Sequence, residues 1–195
     1  MLKGVRQEGC SMAELNSKEQ VIQWLEQCVI GLSLCPYARV PVEAGQVSLV
    51  VCQSSAAKDF VNLLLDEARA LKNLAGEIET TLIIAPDGFE DFLHFNDIAG
   101  DAEDALAEAE LDQDFQLASF HPDYLFAEDA SDDPSHFTNR APFPILQLLR
   151  VSTVAKAVDT GDTLSIPQRN CERLRAMPLS KLRELFPWSA HWIIN

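Results

Sequence analysis

Val47-Ser-Leu-Val-Val-Cys52 is followed at helical spacing by Phe60, Leu63, Leu64, Ala68, Leu71 and Leu74, then by Gly76 and a second apolar run, Thr80-Thr-Leu-Ile-Ile-Ala85. Short, nearly continuous apolar runs suit strands covered on both faces. The stripe between them suits an amphipathic helix that stops at its glycine. Two such strands with a helix between them pair most readily in parallel, through a crossover, so the sequence predicts an α/β fold.

Working outward, a helical pattern over residues 89–111 carries Phe92, Phe95, Ala99, Ala102, Leu106 and Ala109 on one face, with Gly100 as a break point. It leads to a third strand, Phe115-Gln-Leu-Ala-Ser-Phe120. The expected sheet is small and mostly parallel, with three strands, and a hairpin through Ala44-Gly45 would add a fourth, antiparallel strand near Val40. On the N-terminal side Ser17-Lys-Glu-Gln20 reads as a capping box. Val21, Trp24, Leu25, Cys28 and Val29 then recur at helical spacing as far as Gly31. Residues 1–16 read as a disordered extension, with Met12 as an alternative start, and 17–195 as a single α/β domain. After the third strand comes an irregular polar stretch, 121–142, then a helix over about 143–158. Short helices after Pro167 and Pro178 give a helical C-terminal part, with Trp188 and Trp192 covering the core.

At 195 residues and 47% apolar content, the chain is long enough to bury a core without disulfide or metal staples. The five cysteines (Cys10, Cys28, Cys35, Cys52, Cys171) are odd in number and scattered, with no Cys-x-x-Cys pair, which points away from a disulfide framework. No apolar run has the length of a membrane span, and the first residues lack the apolar core of a secretory signal, so a cytoplasmic location is expected. A net charge of −15 argues against nucleic acid and against an anionic membrane as partners. Residues 140–183 hold eight basic and three acidic side chains, a local +5, so the remainder carries −20. That basic segment either docks on the acidic remainder or serves an anionic ligand.

Reactive side chains gather in two stretches, 35–39 and 121–140. The carboxyl ends of parallel strands are where α/β sheets bind ligands. At the third of these ends His121-Pro-Asp123-Tyr124 brings an imidazole, a carboxylate and a phenol together. A histidine held by a carboxylate suits a general acid or base, whereas a capping histidine is the plainer reading. Asn139 and Arg140 precede the helix expected from about residue 143, whose free N–H groups and dipole would favour an anion, with Arg140 as a two-pronged clamp. The plainer reading makes Asn139 a cap and pairs Arg140 with an aspartate of its own loop.

Cys35-Pro-Tyr-Ala38 resembles the active-site tetrapeptide of glutaredoxins in a one-thiol form, but it follows a helix, and the succeeding Arg39-Val-Pro-Val is not expected to form the helix that would activate the thiol. Cys35, His121, Asp123 and His136 are acceptable metal-ligand types without metal-site spacing, so no metal is assigned and no cofactor is named.

Trp24, Gly31-Leu-Ser-Leu-Cys-Pro-Tyr-Ala38, Phe120-His-Pro-Asp-Tyr-Leu-Phe126, Asp133-Pro-Ser-His-Phe-Thr-Asn-Arg-Ala-Pro-Phe-Pro144 and Ile166-Pro-Gln-Arg-Asn170 together resemble the bacterial domain of unknown function 1415 family. The resemblance transfers no mechanism. It marks Cys35, His121, Asp123, Asn139, Arg140, Arg169 and Asn170 as positions to test. The functional expectation is a small-molecule enzyme with an anionic substrate at the strand ends. In it, His121 and Asp123 form the acid–base pair, Arg140 and Arg169 hold the anion, Cys35 sits at the rim, and Tyr37, Arg39, Tyr124, Asn139 and Asn170 complete the pocket. The alternatives are a non-catalytic anion-binding or regulatory module and a thiol redox protein using Cys35.

Overall fold

The described residues of the computed structural model are 12–159 and 165–189. Their elements follow the order α1 (Met12–Trp24), a π-helical turn (Leu25–Ile30), α2 (Arg39–Ala44), β1 (Val47–Val51), α3 (Ala57–Asn73), β2 (Thr80–Ile84), α4 (Phe92–Glu108), β3 (Phe115–Phe120), a 3₁₀ turn (Pro134–Thr138), β4 (Ile145–Arg150), α5 (Val151–Asp159), α6 (Ile166–Arg175) and α7 (Leu179–Leu185). Helix α1 starts at Met12, so Ser17 lies within it, buried, and does not cap it. Residues 1–11 of the expected extension, and Trp192, lie outside the described residues. Among the described residues no helix is long and apolar enough to cross a membrane.

The sheet is mixed, has four strands in the order β1-β2-β4-β3, and is flanked by helices. β1 and β2 pair in parallel through α3, with Val47 opposite Thr80 and Val51 opposite Ile84. The other two pairings are antiparallel, because β4 inserts between β2 and β3, with Ile145 opposite both Ile84 and Phe120. The mostly parallel, three-stranded sheet is thereby corrected. The segment expected as one helix over 143–158 is a strand that runs directly into α5. Ile145-Leu-Gln-Leu-Leu149 is apolar on both faces, and an apolar run of this kind fits strand and helix patterns equally until its partners are known. Nor is there a hairpin at Gly45. It ends α2 in the left-handed region at φ 69°, where a residue without Cβ fits best.

Alternation along each strand gives the sheet two apolar faces. On one, Ile83, Leu146, Leu148 and Phe115 pack beneath α3 and α4 (Phe60, Leu64, Phe95, Ala102) in the larger core. On the other, Leu82, Ile84 and Ile145 meet Val21, Trp24, Cys28, Leu174, Leu182 and Phe186 from α1, its π turn, α6 and α7. Helix α4 passes unbroken through Gly100. The π turn closes at Gly31, whose N–H donates to the Glu26 carbonyl at 3.0 Å; a Cβ there would lie 2.2 Å from the Gln27 carbonyl oxygen.

Candidate functional site

Because β4 runs against its neighbours, β1, β2 and β3 all point the same way, and their carboxyl ends do meet at one edge. His121 stands there at 1% exposure. Its Nε2 is 2.9 Å from the Phe89 carbonyl, and its Nδ1 accepts the Asp123 backbone N–H at 2.9 Å. A carbonyl only accepts, so Nε2 carries the proton and the ring is neutral with both nitrogens committed. The ring also packs against Phe92 and Phe95, with centroids 5.6 and 5.4 Å away. Burial pushes its pKa below the ordinary histidine value, against the upward pull of the Phe89 carbonyl and of Asp123, Asp91 and Glu90. Asp123 thus meets the imidazole by donating its backbone N–H to Nδ1, while its charge acts on the ring from nearby.

His136 repeats the arrangement. It is fully buried, its Nδ1 accepts the Phe126 N–H at 3.0 Å, and its Nε2 lies 2.7 Å from the Ala130 carbonyl. Arg140, 1% exposed, donates from Nε to the Tyr124 carbonyl at 3.2 Å and lies over the Phe137 ring at 4.6 Å. Desolvation lowers its pKa to about 10, against the pull of the Asp123 charge. Tyr124 packs its ring on Phe92 and Phe126 at 5.0 and 5.1 Å. On the outer side Arg175 grips Asp133 and Asp129, holding the Asp133 carboxyl down at about 2. His121, His136, Asn139 and Arg140 are therefore internal bracing of an ordered loop, each bonding a backbone group of the loop or of the elements beside it. The helix whose N-terminus was to cradle an anion beside Arg140 is replaced by β4, so the dipole invoked there does not exist.

A cavity lies on the sheet face beneath α1 and α2. With a volume of about 400 Å³, it separates Trp24, Leu34, Pro41 and Val42 from a floor made of Thr80, Leu82, Ala118, Phe120, Gln147 and Leu149. Its walls are overwhelmingly apolar, and it opens to solvent. Of the residues singled out from sequence, Cys35, Tyr37 and Asn139 line it. His121, Asp123, Tyr124, Arg140, Arg39, Arg169 and Asn170 do not. Arg39 is exposed at the start of α2, 3.4 Å from Glu43, and Arg169 is exposed on α6.

Asn170 serves the site from behind. Its Nδ2 donates to the Leu34 carbonyl at 2.8 Å, and Arg173 donates to the carbonyls of Leu32 and Ser33, fixing the turn that delivers Cys35. Cys35 is exposed as a residue, but its sulfur is crowded by the cavity wall, which raises the thiol pKa; the N–H groups of Tyr37 and Ala38 pull it the other way. Arg39–Ala44 does form a helix, since Pro41 sits in the first turn where its missing N–H costs nothing. That corrects the sequence expectation, yet the helix starts four residues after the thiol and the net shift of the thiol pKa remains upward. Among the described residues no three His, Cys, Asp or Glu side chains converge as metal ligands.

Sequence reasoning missed Gln147 and Trp24. Gln147 has a signal in retrospect: it is the one polar residue inside the apolar run Ile145–Leu149, but only once that run is recognised as a strand. Trp24 falls on the helical apolar stripe and among the residues carrying the family resemblance, neither of which marks it as a site residue, and it meets Phe120 edge-on at 5.1 Å while lining the cavity.

A mixed four-stranded sheet with helices on both faces and a cavity beneath one layer defines an α/β protein with a small-molecule-sized pocket. A family model described as protein of unknown function (DUF1415) matches residues 16–184, and the chain belongs to that family. No curated protein and no solved structure matches the chain.

Proposed function

We propose that this protein binds a small organic molecule in the sheet-face cavity, and that this cavity, not the His121 edge, is its working site. The observation that carries the reading is an apolar space of about 400 Å³ on which Cys35, Tyr37 and Asn139 converge from two remote loops. Pockets for small ligands commonly have such volumes, apolar walls and a few polar groups. The π-helical turn supports it too, because Leu25 and Val29 within that turn line the space, and π turns recur at functional sites.

Of the three functions expected from sequence, the non-catalytic anion-binding or regulatory module comes nearest, with the ligand moved from the Arg140 loop to the cavity. An acid–base enzyme working through His121 and Asp123 needs a ring nitrogen open to substrate, and both are engaged by backbone. Thiol redox chemistry at Cys35 needs a lowered pKa, and crowding raises it. Free thiols at Cys28, Cys35, Cys52 and Cys171 fit a reducing compartment, so a cytoplasmic location is part of the proposal.

The test is Ala118→Phe, which puts a ring into the space from its floor. Fragments found by ligand-observed NMR to bind the native chain should be lost by Ala118→Phe and kept by Arg39→Ala. A saturating ligand, at about a hundred times its dissociation constant, should stabilise the native chain by about 2.7 kcal/mol. A fragment set whose binders all ignore Ala118→Phe defeats the proposal.

A further inference from the structure

The hydrogen bonds of two side chains on the cavity wall fix the polarity of what fits there. Thr80 Oγ1 has one proton, and it goes to the Leu148 carbonyl at 2.7 Å. Toward Gln147, 2.9 Å away, the same oxygen can only accept, so Gln147 must offer its NH₂ end there. This settles the orientation of the amide, which shape alone leaves ambiguous. Asn139 likewise gives Nδ2 to the Ser119 carbonyl at 3.1 Å. In both side chains the protein uses the NH₂ end, and among the described residues nothing donates to Gln147 Oε1 or Asn139 Oδ1. Asn139 is tied to the same part of the floor, because it bonds the carbonyl of Ser119, the neighbour of Ala118, which pairs across the ladder with Gln147.

From this geometry we infer that the ligand is an uncharged, largely apolar molecule bearing an N–H or O–H donor, which it presents to the carbonyl oxygens of Gln147 and Asn139. The inference rests on the binding reading above and narrows it. The charges on the wall do not favour an anion. Arg150 turns its Nη2 away to the carbonyls of Leu71 in α3 and of Ile78 just before β2, at 2.6 and 3.0 Å. Its buried Nε and the Thr138 hydroxyl are left as buried polar atoms of the wall without a partner among the described residues, and the Glu79 side chain also lines the space. An anion entering would lose its hydration among apolar walls and meet carbonyl oxygens. A neutral donor supplies a partner to one of the two carbonyl oxygens, while its apolar body gains from leaving water.

Three probes with one skeleton separate the possibilities: N-phenyl-1-naphthylamine, which is neutral with an N–H; its N-methyl derivative, which has no donor; and 8-anilino-1-naphthalenesulfonate, which keeps the N–H and adds a negative charge. Titrated by fluorescence into the full chain, the first should bind once per chain. The N-methyl compound should bind about tenfold more weakly, the change expected for one hydrogen bond, and the sulfonate should bind more weakly than the amine because its charge must shed water among apolar walls. Gln147→Leu should bring the amine down to the affinity of the N-methyl compound and leave the latter unchanged. The side-chain amide signals of Gln147 and Asn139 in ¹⁵N spectra of the native chain should shift with the amine, a readout that needs no variant to fold. If the sulfonate or the N-methyl compound binds as tightly as the amine and Ala118→Phe blocks it, the cavity reading stands and this ligand class falls. If no probe shifts those amides, both fall.

Discussion

Replacing His121 by phenylalanine keeps an aromatic ring between Phe92 and Phe95 but strips the partners from two buried backbone groups, the Phe89 carbonyl and the Asp123 N–H. Each buried polar group left without a partner costs about 1–3 kcal/mol, so His121→Phe should lose roughly 2–6 kcal/mol at neutral pH, toward the lower end where the new ring packs well. The loss has a pH signature whose sign follows from burial. The folded-state pKa of His121 lies below the ordinary 6.5, so the unfolded chain takes up this proton first. The stabilisation from the neutral ring is fully present above about 6.5 and fades as pH falls toward the folded value, by at most about 1.4 kcal/mol per pH unit. Urea unfolding followed by tryptophan fluorescence, at steps from about pH 8 to pH 5, should show the gap between native and variant chains narrowing on acidification. A gap that stays constant over that range, or a variant as stable as the native chain, would refute the bracing role.

Three further outcomes follow from the same geometry. Gly88 adopts φ +85°, and a Cβ there would lie 2.8 Å from the Ser55 Cβ, so Gly88→Ala should cost about 1–3 kcal/mol; an unchanged melting midpoint would contradict this. Arg175→Met should raise the Asp133 carboxyl from about 2 toward the ordinary 3.8, with the hydrogen bonds from Ser135 still holding it down, read by NMR titration. The native stabilisation from this pair is present above 3.8 and lost as pH falls toward 2, and the variant should lack that acid-dependent step. Iodoacetamide should alkylate Cys35 at neutral pH more slowly than a free model thiol, because its pKa is raised, and a faster rate would revive the thiol reading.

The parallel unit of β1, α3 and β2 was legible because its pattern is local: two runs, one stripe and one stop. β4 was not. Phe143-Pro-Ile-Leu-Gln-Leu-Leu-Arg-Val-Ser-Thr-Val continues without a turn signal into α5, and only β2 and β3, remote in sequence, decide that its first half is extended. The site misreading has the same root. A cluster of His, Asp, Arg and Asn in a long loop looks the same from sequence whether its polar atoms face a substrate or hold the loop's own backbone. Cys35, Tyr37 and Asn139 were nonetheless among the residues singled out, and they are the ones that reach the cavity. The cavity itself left no local trace, since it arises from Ala118 standing small opposite Gln147 on a strand pairing that the pattern did not reveal.

The late position of β4 in the chain bears on how the molecule is made. As synthesis proceeds from the N-terminus, β1 and β2 can zip together once Ile84 has emerged, but β3 has no neighbour to dock against until Ile145–Arg150 follows it out. Until then β2 and β3 each present a naked edge, the kind of surface that invites pairing between nascent chains. The braced loop between β3 and β4, with its two clamped imidazoles, shortens the search by handing the last strand into a slot already flanked on both sides.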